Sequence, residues 1–274
     1  MTVASTTDPA EFRRRAGELL ARDPLRHTVI ATAVANSEIG PVDRPPLFIS
    51  AHADERALGI AIHTPGKGLY ISRFPESAIT DLAALLHARR AELDIVEGPP
   101  ECAGAFAQQW SALCGRDFRQ VDAVRLYRLG DLRPPRVAGR ARRAGAADLE
   151  LCSGWFERFA RELDLTVYPD SAAKSISQGQ LWLWEDRSGP VAMAAHKLPA
   201  LGWSRLGPVY TPPEFRKHGY GAAVTAHVST VLRENGTEAC LFADVANPTS
   251  NKIYREIGFR PVSDFVLYGA AAAG

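Results

Sequence analysis

The chain has 274 residues, of which 46% are hydrophobic and 23% are charged, and its formal net charge is +1. This composition is typical of a folded globular protein, and the near-zero charge removes any overall electrostatic case for binding nucleic acid or a membrane. The length exceeds what one ordinary domain needs and allows two domains of about 130 residues each.

The four cysteines lie far apart in the sequence, at Cys102, Cys114, Cys152 and Cys240. They form no CxxC pair and no group with histidine, so they predict buried thiols in a reducing compartment and no metal site. The N-terminal residues do not resemble a signal peptide, and no apolar run reaches about 18 residues. We therefore expect a cytoplasmic protein.

The first half of the chain begins with helix signals and continues with strand signals. Asp8-Pro9 predicts a helix over 9–22, and Asp23-Pro24 predicts the start of a second helix. Short apolar runs then predict strands at 47–51, 57–63 and 69–72, followed by a helix from Pro75, a strand at 93–96, a helix at 101–113 and a strand at 121–129. The predicted order is three strands, helix, strand, helix, strand.

A basic segment, 132–143, separates the two halves, and it contains five arginines, two prolines and no acidic residue. This composition predicts an interdomain linker. A polybasic patch for RNA or phospholipid is the alternative, which we favour less because no aromatic residues alternate with the arginines.

The second half repeats the order of the first. The sequence predicts a helix at 148–163, a hairpin of strands at 180–185 and 190–198, a third strand at 203–211, a helix ending at Asn235-Gly236, a strand at 239–245 and a helix capped by Asn247. Residues 166–178 give no clear pattern. The repeat is visible in the residues themselves, because an offset of 141 (118 to 259) aligns Phe118, Arg119, Val121, Leu126 and Tyr127 with identical residues.

Two glycines, Gly219 and Gly221, stand between a predicted strand and a predicted helix. Glycine lets a ligand approach the backbone, and a helix N-terminus offers free N–H groups and the positive end of its dipole. The segment therefore predicts a phosphate cradle, to which Arg216, Lys217 and His218 would add donors. Its spacing matches neither GxxxxGK[ST] nor GxGxxG. A glycine-containing helix start without a ligand is the alternative.

The helix after Asn247-Pro248 carries Tyr254, one turn beyond Ser250. Asparagine followed by proline is a helix start in its own right, so capping alone accounts for Asn247. The small Ser250 leaves room for a ligand beside Tyr254. A packed core tyrosine with a bonded hydroxyl is the alternative for Tyr254.

These residues resemble the GNAT superfamily of acyl-CoA-dependent N-acyltransferases. Arg216 to Gly221 matches the family's Q/R-x-x-G-x-G/A loop, and Asn247 to Phe259 matches its N-x(6)-Y-x-x-x-G-F segment. The resemblance covers about 145–268 and is only architectural over 47–129. As a whole, the chain is similar to tandem GNAT proteins of the glycine N-acyltransferase-like or FR47-like group, with an N-terminal copy that has lost the coenzyme loop.

The resemblance implies an α+β fold of two tandem GNAT-like domains. Each would be a mixed, mostly antiparallel, twisted sheet flanked by helices in three α/β/α layers. The domains would span 1–131, without a coenzyme loop, and 145–274, with acetyl-CoA, joined by the linker 132–144.

The resemblance also implies direct acetyl transfer from acetyl-CoA, as co-substrate, to a primary amine of a small molecule or peptide, with no metal. Tyr254 would protonate the departing thiolate as general acid. The implied coenzyme-binding residues are Val209, Tyr210, Thr211, Arg216, Lys217, His218, Gly219, Tyr220, Gly221, Asn247 and Tyr254. We expect a monomer or homodimer with no nucleic-acid or membrane partner.

The general base is not fixed by the resemblance. Many family members carry a glutamate on the strand before the loop, but 203–211 contains no carboxylate. Asp244 is the candidate base, and His196 and ordered water are alternatives. Asp244 could instead cap a strand end, and His196 could instead be an exposed strand histidine. The missing base also leaves open a non-catalytic acyl-CoA sensor or scaffold, and transfer of a longer acyl group is a further alternative.

Overall fold

The computed structural model describes residues 1–40, 44–165 and 170–271. The described residues form two compact units, each assembled from separate stretches of the chain. Unit 1 draws on Met1–Leu126, Asp244–Ala246 and Val262–Gly274, and unit 2 draws on Tyr127–Ala243 and Asn247–Pro261. As a description of the sequence repeat, the division into 1–131, 132–144 and 145–274 stays a prediction.

Unit 1 is built on a mixed sheet with helices on it. Its elements in chain order are β1 (Thr2–Thr6), α1 (Pro9–Arg22), α2 (Thr28–Ile39), β2 (Leu47–Ala53), β3 (Arg56–Thr64), β4 (Gly68–Arg73), α3 (Ile79–Ala88), β5 (Ile95–Gly98), α4 (Pro100–Cys114) and the first part of β6 (Phe118–Leu129). Strands β1 to β4 pair antiparallel in sequence order, and β5 lies parallel to β4 because α3 carries the chain back.

The core of unit 1 lies on both faces of this sheet because successive strand residues point to opposite sides. Phe48 stacks on Phe12 of α1 at 5.0 Å. Its neighbour Ile49 belongs to the cluster that α3 and α4 cover, together with Leu82, Phe106 and other buried apolar side chains.

Unit 2 repeats the plan. Its elements are β7 (Arg140–Arg143), α5 (Leu149–Glu162), α6 (Ser171–Ser177), β8 (Leu181–Asp186), β9 (Gly189–His196), β10 (Trp203–Tyr210), α7 (Tyr220–Glu234), β11 (Glu238–Asp244), α8 (Pro248–Glu256) and the start of β12 (Phe259–Ala270). Strands β7 to β10 pair antiparallel, and β11 is parallel to β10.

Alternate side chains of β8 pack against helices on opposite faces of the unit 2 sheet. Leu181 and Leu183 belong to the cluster under α5 and α6, whereas Trp182 belongs to the cluster under α7. The fold class is therefore α+β, with a mixed, mostly antiparallel sheet between layers of helices, as predicted.

The internal repeat is confirmed in the order of elements and at two places where equivalent elements begin 141 residues apart. Strands β6 and β12 each have 12 residues and begin at Phe118 and Phe259. Helices α3 and α7 begin at Ile79 and Tyr220, at the same offset of 141. The register drifts between these points, since α4 has 15 residues and α8 has 9. Counted from the helix starts, Tyr254 corresponds to the buried Phe106 and not to Leu113, its partner at the fixed offset.

The second helix begins later than the sequence predicts. It starts at Thr28 and not at Pro24, because Asp23 instead closes a turn by accepting a hydrogen bond from Arg26 N at 3.1 Å. The basic segment is also not linker throughout, because Arg140–Arg143 form the strand β7. Of the unassigned 166–178, residues 166–169 lie outside the described residues and Ser171–Ser177 form α6. No described helix has both the length and the apolar character that crossing a bilayer requires.

Candidate functional site

The two parallel strands of unit 2 are paired at one end only. The register between β10 and β11 runs from Trp203–Glu238 to Leu206–Leu241. Beyond Leu206 the pairing of β10 with β9 also shifts, and it resumes at Val209–Ala194. The last residues of β10, including the predicted Val209 and Tyr210, thus leave β11 while remaining on β9. The sheet is open on the side of β10 that leads toward the glycine loop.

The glycine loop makes a tight turn before α7. Pro213–Phe215 form a 3₁₀ turn, and Lys217 and Gly219 have φ of +67° and +82°. Gly219 is the N-cap residue, and its carbonyl accepts the first helical bond from Ala223 N at 2.9 Å. The N–H groups of the first helical turn therefore have no acceptor within the helix.

Each glycine of the loop lies close to a neighbouring side chain. A Cβ at Gly221 would lie 3.0 Å from Thr211 Oγ1, and a Cβ at Gly219 would lie 3.0 Å from Val137 Cγ2. At Gly219 the positive φ adds a backbone reason for glycine. The loop is therefore a compact backbone surface, as a phosphate cradle requires.

Arg216 lies across the loop and reaches α5. Its Nε donates to Thr211 O at 2.9 Å, and its Nη2 donates to both carboxylate oxygens of Glu162 at 2.8 and 2.6 Å. The hydroxyl of Tyr210 donates to the same carboxylate at 3.0 Å. The guanidinium that the sequence assigns to phosphate is thus bound to a carboxylate. Glu162 stands 54 residues away, and no sequence motif pointed to it.

The other predicted loop residues form a second small cluster. His218 stacks on Tyr220 at 5.5 Å, and the Tyr220 hydroxyl donates to Asp186 Oδ2 at 2.7 Å. This hydrogen bond raises the pKa of Tyr220, and the hydrogen bonds from Ser188 and from Tyr220 lower the pKa of Asp186. Lys217 is exposed. The loop therefore offers Lys217 and His218 to solvent, while Tyr220 is tied to β8.

Asn247 caps α8, as the sequence predicts. Its side-chain oxygen accepts from Ser250 N at 3.0 Å. Its carbonyl accepts from Asn251 Nδ2 at 2.7 Å, and the buried Asn251 in turn accepts from the hydroxyl of Tyr127 at 2.7 Å. Asn251 and Tyr127 were not identified as site residues. Only Tyr127 had a visible signal, as a member of the repeated window.

Tyr254 lies half-buried on α8, with its ring 6.1 Å from that of Phe259. Burial raises the pKa of Tyr254 to about 12. Its hydroxyl has no hydrogen-bond partner in the part of the chain that the structure describes. The phenol is therefore protonated at neutral pH and has a hydrogen to donate.

The candidate bases differ in their surroundings. Asp244, the last residue of β11, accepts a hydrogen bond from Ala246 N at 2.6 Å and so caps the strand end. His196 is half-buried, and its Nδ1 lies 3.1 Å from Lys197 O, so Nδ1 carries the hydrogen and Nε2 the lone pair. Burial lowers the pKa of His196.

The corresponding strands of unit 1 stay close together. Gly98 of β5 lies against β4, where an added Cβ would be 2.9 Å from Ile71 O. Helix α3 follows Ala78 and not a glycine, and Ala78 is fully buried. Among the described residues, unit 1 therefore has no counterpart of the glycine loop.

Part of unit 2 and most of β12 match a known protein family. Residues 186–266 match the family model described as FR47-like protein. This region includes β10, the glycine loop, α7 and α8. No curated protein is similar enough in sequence to count as a relative.

Solved structures with the same fold cover nearly the whole chain. A tandem GNAT protein from the clavulanic acid biosynthesis pathway aligns over 100% of both chains, with 12% identity and a TM-score of 0.57. A GCN5-related N-acetyltransferase from Kribbella flavida covers 89% of this chain and 95% of its own, with 19% identity and a TM-score of 0.58. A GNAT-family acetyltransferase from Colwellia psychrerythraea covers 98% and 99%, with 13% identity and a TM-score of 0.55. The chain therefore has the fold of GNAT acetyltransferases in its tandem form.

Proposed function

We propose that the chain is an acyl-CoA-dependent N-acetyltransferase that uses acetyl-CoA and a primary amine of a small molecule or peptide. One observation carries the proposal. The pairing of β10 with β11 ends at Leu206–Leu241, and the freed end of β10 leads directly into the glycine loop before α7. The match to an FR47-like model over 186–266 supports it, because the match includes this arrangement.

The loop residues fit an anionic coenzyme. The diphosphate would bind the amides of Lys217 to Gly221, where the α7 dipole favours negative charge. Glycine at 219 and 221 supports this, because neither residue has a side chain that could cover its own amide. Lys217 and His218 supply donors on the exposed side.

Acetyl-CoA reacts through its thioester. A neutral amine attacks the thioester carbonyl, and the products are an amide and the free thiol of the coenzyme. Backbone groups near Val209 and Thr211 would orient the pantetheine arm. Tyr210 would contribute through its backbone, because its side chain is turned to Glu162. The Asn247 side chain caps α8 and so fixes the helix that carries Tyr254.

Tyr254 serves as the proton donor to sulfur. A phenol with a pKa of about 12 keeps its proton at neutral pH, so it acts as a donor and not as the base. Because it is a weaker acid than an ordinary thiol, whose pKa is about 8.5, it first stabilises the developing thiolate by a hydrogen bond.

Asp244 remains the proposed base, with His196 as the alternative. A base is needed because the attacking amine must lose a proton. Asp244→Asn and His196→Gln distinguish them by the acid limb of the kcat/KM profile, which should disappear in the variant that lacks the base.

The experiment measures acetyl-CoA binding by calorimetry and thiol release with a panel of primary amines. We expect binding and amine-dependent release, with a loss of kcat of about a hundredfold or more in Tyr254→Phe and little change in coenzyme affinity. Failure of acetyl-CoA to bind would refute the proposal. Binding without turnover would favour the sensor or scaffold, and faster release from longer acyl-CoAs would favour a different acyl group.

A further inference from the structure

A carboxylate at the end of α5 joins three parts of unit 2. Glu162 accepts from the hydroxyl of Tyr210, the last residue of β10, and from the guanidinium of Arg216 in the glycine loop. We infer that Glu162 is a positioning residue that fixes the coenzyme loop to α5. This inference rests on the proposed function, because it concerns the placement of the coenzyme.

The strand side of this junction is firmly held. Tyr210 is 4% exposed, and its ring lies against Trp155 and Phe159 of α5, at 6.4 and 6.5 Å between centroids. Its hydroxyl then reaches Glu162 at 3.0 Å. The carboxylate therefore has a fixed location relative to the open end of β10.

The loop side depends on the same carboxylate. Arg216 links the two ends of the turn, since its Nε donates to Thr211 O at 2.9 Å while its Nη2 donates to Glu162. Its guanidinium carbon also lies 5.9 Å above the ring of Tyr210. The residues that follow Arg216 provide the amides proposed to bind phosphate. The position of these amides therefore depends on the contact between Arg216 and Glu162.

The alternative is that Arg216 is held by the coenzyme alone and that Glu162 is an incidental surface partner. The ion pair is about half exposed, with side chains 44% and 41% accessible, and such pairs often contribute little. What separates this pair from an ordinary one is that the carboxylate accepts from two elements at once. Loss of its charge should therefore loosen the loop more than it lowers global stability.

Glu162→Gln tests the inference, and Glu157→Gln is the matched control. Glu157 lies on the same helix, is exposed and has no ion-pair or hydrogen-bond partner among the described residues. In the protein without coenzyme, we expect Glu162→Gln to speed amide exchange over 211–219 by about threefold to tenfold, with α7 and the control unchanged. Unchanged amide exchange over 211–219 in Glu162→Gln would overturn the inference that Glu162 holds the loop in place.

Coenzyme affinity supplies the second readout. We expect the Kd for acetyl-CoA to rise about threefold to tenfold in Glu162→Gln, with kcat at saturation within about twofold. Glu162→Asp should recover part of the affinity. In an Arg216→Gln background, Glu162→Gln should add no further loss, because the two act through one contact.

The outcomes separate the two proposals. If the parent protein does not bind acetyl-CoA, the proposed function fails, and the positioning role fails with it even if the exchange data support a loop brace. If the parent binds, and Glu162→Gln binds equally well or more tightly while Arg216→Gln binds weakly, Arg216 acts on phosphate alone and the positioning role of Glu162 is refuted.

Discussion

Removing the hydroxyl of Tyr127 tests the buried contact that holds α8. In Tyr127→Phe, Asn251 Oδ1 loses a donor at 2.7 Å while both side chains stay buried. Loss of one buried hydrogen bond between neutral groups costs about 0.5–1.5 kcal/mol. We therefore expect the free energy of unfolding of unit 2 to fall by that amount, with no cavity contribution, because only one oxygen is removed.

The repeat provides a matched control for this variant. Tyr268 stands at the equivalent position of β12, and its hydroxyl has no hydrogen-bond partner among the residues that the structure describes. Tyr268→Phe should therefore change stability by less than about 0.5 kcal/mol.

Urea unfolding followed by circular dichroism measures the difference. Tyr127 belongs to unit 2 and Tyr268 to unit 1, and the helix signal reports on both units, since each contains helices. With a slope of about 3 kcal/mol per molar urea, the midpoint should fall by about 0.2–0.5 M in Tyr127→Phe. An unchanged midpoint at constant slope, or an equal fall in Tyr268→Phe, would refute the assigned role of the Tyr127–Asn251 pair.

Three further predictions concern other parts of the chain. Gly221→Ala places a Cβ 3.0 Å from Thr211 Oγ1 and should weaken acetyl-CoA binding about tenfold in calorimetry. Normal binding by this variant would contradict the argument that the loop is tightly packed. By comparison, Gly154→Ala in α5, where a Cβ meets nothing within 4 Å, should stabilise the protein by up to about 1 kcal/mol. Burial lowers the pKa of His27 from 6.5 to about 4. As the pH falls, the unfolded chain therefore binds a proton at His27 before the folded protein does. The resulting stability is complete above pH 6.5 and about 3 kcal/mol is lost as the pH falls toward 4; His27→Gln should flatten this part of the urea-midpoint profile, and an unchanged slope would count against it. Burial raises the pKa of Cys152 to about 12, so alkylation at pH 8 followed by mass spectrometry should leave this thiol unmodified until the protein unfolds, and early labelling would contradict the buried environment.

Local chemistry made the helices and the glycine loop predictable. Helix α1 spans the predicted 9–22, and Asp8 accepts a hydrogen bond from Ala10 N at 2.9 Å. Gly219 is likewise favoured by its own positive φ, and Gly221 lies against Thr211, which is ten residues away in the same segment. Such features depend on neighbours in sequence, which is why the pattern carries them.

Edge strands could not be predicted in the same way. Arg140–Arg143 form β7 through backbone pairing with β8, and Arg142 is bound by Asp148 and Glu185. Nothing in four mostly charged residues indicates a strand, because the pairing edge and the two acids are supplied from elsewhere. The strand β1, at Thr2–Thr6, was missed for the same reason, since it pairs with β2 some 45 residues later.

The site shows a similar division. The sequence predicted the loop and the cap at Asn247, which the structure contains, because each belongs to a short motif, and Tyr254 as a site residue stays a prediction. It missed Glu162, Asn251 and Tyr127, whose contacts span 54 and 124 residues. Interactions at such separations depend on tertiary structure, and one sequence carries no record of them.

The distribution of β6 and β12 over both units has a consequence for how such a chain can evolve. The core of unit 2 includes Tyr127 and Leu129, which precede the basic segment, and the core of unit 1 includes Val266 from the C-terminal strand. A gene truncated between the halves would encode two incomplete proteins. Selection for either core therefore acts on both halves of the gene, whichever half carries a ligand loop.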